Sequence, residues 1–324
     1  MGDDVGGLHH VGHVVRDMGE AMGRYRRLGF TVSAPAYPVL PRRTGGPAEP
    51  FGVANAHVYF PGGFIELVAV LDETGRVPGG ARPIPLQVPD DRLPGLVAAI
   101  RATAVNITSF LRRFQGLHIV IADTPDIDGV AARLTAGGVG HGGVHAIQRP
   151  VETGTGTRME PARYLEISDP GLPAGRVPEG RIGFAENGRA EAPGDRRHAG
   201  HPNGATGLRE CVLCVADPEL PELERRYGTY FGRMRRDRTA PGVARFDRAN
   251  VTVVSASALG GLLPGERPAV LPAFVAYTVS VPDVAATERL LRGNGLPTIR
   301  TGPGELFVPA DAALGTAVGF RQDD

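Results

Sequence analysis

The sequence contains no lysine and no tryptophan, and only two cysteines among its 324 residues. Because all 35 basic side chains are arginine, neither a Schiff-base lysine nor a phosphate-binding P-loop is available. No uninterrupted apolar run approaches the roughly 18 residues of a membrane span, and the acidic start MGDDVGG lacks the apolar core of a signal peptide. The formal net charge of zero predicts no electrostatic attraction to nucleic acid or anionic lipid. We therefore expect a cytoplasmic protein whose partner is a small molecule.

The two cysteines have the C-x-x-C spacing of many redox sites. However, Cys211 and Cys214 lie in the apolar segment ECVLCVAD, which has the pattern of a strand. Residues three apart on a strand point to opposite faces, whereas a redox pair of the thioredoxin type needs a helix start. The sequence therefore predicts two packed thiols. The 46 glycines and 29 prolines indicate a loop-rich protein and are typical of a GC-rich bacterial genome.

The segment from residue 8 to residue 70 has the clearest pattern of elements. An apolar strand around His10 is followed by Asp17, a predicted helix N-cap, and by a helix that ends at Gly29. The segment closes with FIELVAV, a predicted strand in which Glu66 is the only charged residue. A carboxylate in an apolar strand is costly to bury unless a partner or a metal ion satisfies it. The segment thus offers an imidazole on its first strand and a carboxylate on its last.

The same order of strand, Asp, helix and short strands occurs four times. The later copies begin near Gly116, Arg209 and Phe274. This repetition predicts an α+β protein built of tandem βαβββ units. An amphipathic helix over residues 93–114 precedes the second copy, where it packs outside the first half or covers its cavity. The polar, Gly/Pro-rich residues 187–207 are interpreted as the linker between the halves.

Four such units, with His and Glu at their strand ends, resemble the vicinal oxygen chelate (VOC) superfamily, and most of all its glyoxalase-like proteins. The resemblance covers nearly the whole chain. It implies two half-open barrels, each made of two paired units, with domains at residues 1–190 and 191–324. It also implies a divalent metal ion (Zn, Ni, Mn or Fe) held inside a barrel by residues of the first and last strands.

Carried over to this chain, the resemblance implies His10, Glu66, His118 and Glu186 as metal ligands. Glu186 applies if RIGFAE is the closing strand of the second unit, and Glu166 applies if RYLEIS is; we prefer Glu186. A ligand glutamate that leaves the metal can serve as a base, so Glu186 is also the candidate catalytic residue. The number of residues between His118 and the following Asp differs from that between His10 and Asp17. A β-bulge would therefore be needed to bring His118 to the same face of the sheet as His10.

Other side chains are candidates for contacts with the substrate. His57 and Tyr59 share one face of a middle strand of the first unit, and His145 has a similar place in the second unit. His9 and His13 are expected on the face opposite His10.

The second half departs from the metal-binding pattern. Glu210 and Ala276 occupy the positions where the superfamily has histidine, and the closing strands lack a carboxylate. We therefore expect at most one metal site, in the first half.

Three functions remain open from the sequence. The first is a metal-dependent VOC-type enzyme (an isomerase, epimerase, lyase or dioxygenase) acting on a small oxygen-rich metabolite. Two His with two Glu resemble the glyoxalase and epimerase sets, whereas two His with one carboxylate resemble the extradiol iron sites. The alternatives are a metal-free small-molecule binding or resistance protein and a metal-free acid/base cyclase. Both a monomer and a homodimer are compatible with the sequence.

Overall fold

The computed structural model describes residues 4–71, 77–153, 156–187, 200–236 and 239–323. Over these residues the chain forms four successive strand–helix–strand units in two mixed sheets, neither of which is closed into a barrel. The α+β fold of tandem units is thus confirmed. Strands up to residue 187 form the first sheet and strands from residue 207 form the second. The predicted boundary at residue 190 falls in 188–199, outside the described residues.

The first half contains two units with an inserted strand and helix between them. The first unit comprises β1 Gly7–Val14, α1 Met18–Arg27, β2 Ala36–Pro41, β3 Ala48–Pro50, β4 Val53–Phe60 and β5 Gly63–Val70. The insertion comprises β6 Arg82–Pro85 and α2 Leu93–Arg113. The second unit comprises β7 Gly116–Asp123, α3 Ile127–Ala136, β8 His145–Thr153, β9 Gly156–Glu166 and β10 Arg181–Asn187.

The second half repeats this order. The third unit comprises β11 Gly207–Val215, α4 Leu220–Phe231, β12 Arg235–Arg236, β13 Val243–Phe246 and β14 Val251–Ser255, and is followed by the short helix α5 Leu259–Leu262. The fourth unit comprises β15 Ala273–Val281, α6 Val284–Gly293, β16 Ile299–Gly302, β17 Glu305–Val308 and β18 Ala317–Gln322.

Local signals in the sequence explain the first helix. The Asp17 carboxylate accepts a hydrogen bond from the amide of Glu20, which satisfies one of the free amides at the start of α1. Met22 and Tyr25 are buried on one face of the helix. Gly29 follows the helix with φ of +83°, a left-handed conformation that other residues rarely adopt.

Each sheet is organised around a central pair of first strands. In the first sheet β1 and β7 run antiparallel, and each has the closing strand of its unit, β5 or β10, as a parallel neighbour. RIGFAE is therefore the closing strand of the second unit, as predicted. The strand order is β3-β2-β4-β5-β1-β7-β10-β9-β8 in the first sheet, with β6 beside β2, and β12-β13-β14-β11-β15-β18-β17-β16 in the second.

The two sheets share one hydrophobic core, and each sheet turns its other face toward a cavity. Alternate residues such as Val11, Ile65 and Ile182 point into the shared core, and we call this side the core face. Rings from both halves meet there: Phe30 stacks on Phe320, with centroids 6.1 Å apart, and the Tyr277 hydroxyl bonds the Tyr25 hydroxyl. The opposite side of the first sheet is called the inner face below.

Helix α2 lies on the inner face of the first sheet. Ile107 and Phe110 pack against Val14, Ile119 and other apolar residues of that face. The helix thus packs against the face that also carries the cavity, although none of its side chains lines the cavity. By length and composition alone, α2 is apolar enough to cross a membrane, although its sequence has no uninterrupted apolar run of that length.

The two cysteines lie in β11 and are buried on opposite sides of the sheet. Cys211 belongs to the shared core and Cys214 to a separate apolar cluster on the inner side of the second sheet. Neither forms a disulfide. The prediction of packed thiols is confirmed.

Candidate functional site

The inner face of the first sheet forms a cavity of about 430 Å³. Isoleucines 119 and 121 of β7 form an apolar floor, and α2 packs against the same face. Polar side chains from four strands surround this floor: His9 and His10 of β1, Glu66 of β5, Tyr164 and Glu166 of β9, and Arg181 and Asn187 of β10. An apolar floor with few convergent polar groups is the usual form of a small-molecule site.

A β-bulge at His9 places two neighbouring imidazoles in this cavity. The pairing of β1 with β7 shifts between Leu8 and His10, so that His9 is an extra residue in β1. The prediction that His9 lies on the face opposite His10 is therefore wrong, because an unbroken strand would alternate and this one does not. His9 Nδ1 is 2.7 Å from His10 Nδ1, and His9 Nε2 is 2.6 Å from the Asn187 amide nitrogen.

The His10 ring is held in place by stacking and is kept neutral by burial. It lies parallel to the Phe64 ring, with an angle of 8° and a centroid distance of 4.4 Å. Loss of hydration on burial lowers the pKa of His10 well below its ordinary value, and His9, His57 and Arg181 lower it further. His10 is therefore a neutral imidazole at physiological pH.

Glu66 is a carboxyl group in an environment that disfavours its charge. It faces the cavity on β5, beside Gly12 of β1, and one oxygen accepts a 2.7 Å hydrogen bond from the Asn55 amide. Loss of hydration raises the pKa of Glu66 to about 7, against the smaller lowering effect of Arg181. Near neutral pH the group is thus divided between its acid and its base form.

The residues predicted to contact substrate do not line this cavity themselves, but each neighbours a side chain that does. His57 lies directly opposite Glu66 in the β4–β5 pair, and Tyr59 lies opposite Phe64. His57 and Tyr59 stack with centroids 5.2 Å apart, and burial lowers the pKa of His57 to about 4. His145 is exposed and stacks on Tyr164 at the cavity rim.

Arg181 and Glu166 form an ion pair on the cavity wall that the sequence analysis did not identify as part of the site. The Arg181 Nε atom is 2.9 Å from a Glu166 oxygen. The sequence offers Glu166 only as the alternative to Glu186, yet of these two glutamates Glu166 is the one that lines the cavity. Strand alternation in β10 indicates the position of Arg181, since it lies four residues before Ala185, which faces the cavity.

Glu186 lies on the other side of the sheet, which corrects its prediction as a metal ligand and catalytic residue. One carboxylate oxygen accepts the amide hydrogen of Ile127 at the start of α3, and the other is 2.9 Å from Arg163. Although β10 is the closing strand, its alternation turns Ala185 to the cavity and Glu186 toward the helix. Glu186 therefore stabilises the N-terminus of α3.

His118 also fails to reach the cavity with its imidazole. Its Nε2 donates to the Phe114 carbonyl at 3.0 Å, and its ring packs against those of Phe110 and Phe114. In the first unit, His10 lies seven residues before Asp17, the N-cap of α1. In the second unit, the residue seven before Asp126, the N-cap of α3, is Ile119 and not His118. The second unit thus has isoleucine where the first has its histidine, and His118 is part of the packing under α2.

The predicted four-ligand metal set is therefore not assembled. Only His10 and Glu66 of the four face the cavity, and no three His, Cys, Asp or Glu side chains converge within the described part of the chain. Zinc, nickel, manganese and iron sites in enzymes use at least three protein ligands. The donor set present does not fit a resident metal ion of this kind.

The second half carries a larger cavity of about 630 Å³ at the corresponding place, with different chemistry. A bulge between Leu208 and Glu210 in β11 matches the one at His9, which places Glu210 at the position of His10 as expected. Thr252 then corresponds to Glu66, and Arg245, opposite Thr252, corresponds to His57. Glu210 accepts from Arg245 and Arg321, both at 2.8 Å, so its charge is satisfied within the protein.

Comparisons with known proteins agree with this architecture. The structure is similar to a hypothetical protein from Staphylococcus aureus (TM-score 0.57, 10% identity, covering 98% of this chain and 99% of that one). It is also similar to a variant of 4-hydroxymandelate synthase from Streptomyces coelicolor (0.54, 13%, 98% and 93%) and to the Mn(II)-bound glyoxalase from Novosphingobium aromaticivorans (0.51, 11%, 98% and 82%). At these identities the likeness shows the fold alone. No curated protein is detectably similar in sequence.

The family is shown by the sequence itself. The glyoxalase-like domain family matches residues 8–231, which include the whole first half with its cavity and the first strand and helix of the second. The chain belongs to the glyoxalase-like domain family.

Proposed function

We propose that this protein is a proton-transfer enzyme of the isomerase, epimerase or lyase type. It acts in the first-half cavity on a small oxygen-rich molecule that carries an acidic C–H group beside a carbonyl. Glu66 is the group that removes and returns the proton. The proposal keeps the substrate class inferred from the sequence and replaces the predicted metal ion by acid–base chemistry.

The position of the Glu66 carboxyl carries this proposal. It is a carboxyl in an apolar strand, it faces the cavity, and its hydrogen-bond donor is a neutral amide, Asn55, with no cation paired to it in the described residues. A carboxyl that binds its proton near pH 7 is matched to general acid–base catalysis at that pH. A structural glutamate would instead be paired, as Glu186 and Glu210 are.

A metal-dependent enzyme is the second candidate, and the placement of His10 and Glu66 favours it. These residues occupy the first-strand and last-strand positions that the superfamily resemblance assigns to metal ligands, and both line one cavity. The similar glyoxalase from Novosphingobium aromaticivorans is Mn(II)-bound. The missing third ligand argues against a resident metal ion, and metal addition is therefore one arm of the test.

The test is hydrogen–deuterium exchange of candidate substrates. Small 2-oxo acids, 2-hydroxyketones and 1,3-dicarbonyl compounds are incubated with the protein in deuterated buffer near pH 7, and loss of C–H signal is followed by NMR. We expect exchange at one position of at least one compound, retained in the presence of a chelator. The Glu66→Gln variant should lose about 100-fold or more of that rate, a usual contribution of a general base.

The matched control is Glu222→Gln, which makes the same replacement at an exposed residue of α4 paired only locally with Arg225. Its exchange rate should equal that of the unaltered protein. Exchange that requires added Mn, Zn, Ni or Fe would contradict the proposal and favour the metal-dependent enzyme. Saturable binding without exchange for every compound would contradict it and favour a binding or resistance protein.

A further inference from the structure

We propose that Asn187 and His9 fix the tautomer of His10, so that His10 presents an N–H donor to the substrate oxygen in the first-half cavity. His10 is then the partner of Glu66: the glutamate handles the proton and the imidazole stabilises the charge that develops on oxygen. This inference rests on the proposed function for its catalytic consequence. The tautomer itself can be measured independently.

The order of the hydrogen bonds determines where each proton lies. The Asn187 side-chain nitrogen can only donate, so His9 Nε2, 2.6 Å away, must accept. A neutral imidazole carries one proton, so that of His9 is on Nδ1, from which it donates to His10 Nδ1 at 2.7 Å. His10 Nδ1 is thereby an acceptor, and the proton of His10 must be on Nε2.

The remaining nitrogen of His10 is available to a ligand. Nε2 has no hydrogen-bond partner in the part of the chain that the structure describes, and it is not a buried atom. Stacking on Phe64 fixes the plane of the ring, so the direction of the N–H bond is fixed as well. A fixed donor costs little reorganisation when charge develops on a substrate oxygen.

The position of Glu66 relative to His10 suits a two-group mechanism. On the inner face, His10 of β1 pairs with Phe64 of β5, and two residues further along both strands Gly12 pairs with Glu66. Because Gly12 has no side chain, no β1 side chain stands beside Glu66 at this position. The Glu66 carboxylate takes the proton from the substrate carbon. The electron pair of that C–H bond forms the enolate double bond, and the carbonyl pair moves to oxygen, where His10 Nε2–H donates. The proton then returns from Glu66 to carbon.

The same tautomer explains why His10 does not need metal partners. A histidine that binds a metal must turn a lone pair toward it, whereas the Nε2–H form turns a hydrogen. The histidine at the superfamily's metal position is thus retained here in a different role. His9 and Asn187 are positioning residues, because they act through His10.

The wild-type tautomer is measured by long-range ¹H–¹⁵N NMR of ¹⁵N-labelled protein, with assignments from His9→Asn and His10→Asn. We expect His10 protonated on Nε2 and His9 on Nδ1. The isosteric Asn187→Asp variant offers only acceptor oxygens, so both hydrogen bonds should reverse direction: His9 Nε2–H donates to Asp, and His10 Nδ1–H donates to His9 Nδ1. The His10 proton then moves from Nε2 to Nδ1. The variant's deuterium exchange rate should fall at least tenfold. Asn106→Asp on α2, which adds the same charge outside the cavity, should change neither quantity.

The result that overturns the inference is a wild-type His10 protonated on Nδ1, which needs no variant to be observed. Asn187→Asp with an unchanged His10 tautomer overturns it as well. If the wild-type tautomer is Nε2–H but no carbon acid exchanges, the hydrogen-bond assignment stands and the proposed function fails. The two failures are thus distinguishable.

Discussion

Replacing Glu66 by glutamine should stabilise the protein, and the gain should depend on pH. The carboxyl has a pKa of about 7 when folded and an ordinary value of 4.5. Because the folded state holds the proton more tightly, unfolding becomes easier as pH rises from 4.5 to 7, and the full cost of the buried charge is present above pH 7. This difference corresponds to about 3 kcal/mol, an upper value because the group faces a cavity that admits water.

The assay is guanidinium denaturation of the unaltered protein and of Glu66→Gln at pH 4.5, 6 and 8. The free energy of unfolding of the variant, minus that of the unaltered protein, should increase by up to about 3 kcal/mol between pH 4.5 and 8. The exposed replacement Glu222→Gln should show no comparable trend. A difference for Glu66→Gln that is constant across this range would refute the reasoning, since it would mean that Glu66 has the same pKa folded and unfolded.

Three further predictions concern the stability of the fold around the cavity. Burial lowers the pKa of His13 from 6.5 to about 4, so below pH 6.5 the unfolded state binds more protons than the folded state. The free energy of unfolding in urea should therefore fall by on the order of 3 kcal/mol between pH 6.5 and 4. Substitution of His13 by Asn should reduce this pH dependence, and an unchanged dependence would contradict the assignment. Arg226→Met removes the cation of the fully buried Glu179 and should cost about 3–5 kcal/mol, whereas Arg225→Met on the exposed side of α4 should cost far less; equal losses would contradict the pairing. Gly12→Ala places a Cβ 2.7 Å from a β7 side chain and should lower stability by about 1–3 kcal/mol in thermal unfolding, and an unchanged melting temperature would contradict the close packing.

The fold could be predicted because each unit repeats short-range signals. Asp17, Asp126 and Asp283 are N-caps whose side chains accept from the first turn of α1, α3 and α6, and apolar strands precede all three. A single such signal is weak, but repetition at similar spacing defines the units. The topology then follows from the resemblance, and the two half-open sheets confirm it.

The candidate site could be predicted only where strands alternate regularly. The resemblance implies His10 and Glu66 as site residues, and both line the cavity. His9 was misplaced because a bulge adds a residue without any mark in the sequence. Glu186 lies one position from the cavity-facing Ala185, and a shift of one residue on a strand reverses the face. His118 lies at a second register shift between β1 and β7, and its ring packs beneath α2 on the inner face without lining the cavity.

The hydrogen bonds that define the roles are beyond the reach of the sequence. Asn187 and His9 are 178 positions apart and meet only because β1 and β10 flank β7 in the sheet. The ion pair of Arg181 with Glu166 similarly depends on the pairing of β9 with β10. Such contacts arise from tertiary structure, and no local pattern encodes them.

The titration of the Glu66 carboxyl is the most direct test of the account. Protein labelled with ¹³C at glutamate side-chain carboxyls is titrated by NMR, and the Glu66 resonance is identified by its absence in Glu66→Gln. We predict a transition centred at about pH 7. A transition at the ordinary value of 4.5 would contradict the claim that this cavity holds a carboxyl poised for proton transfer.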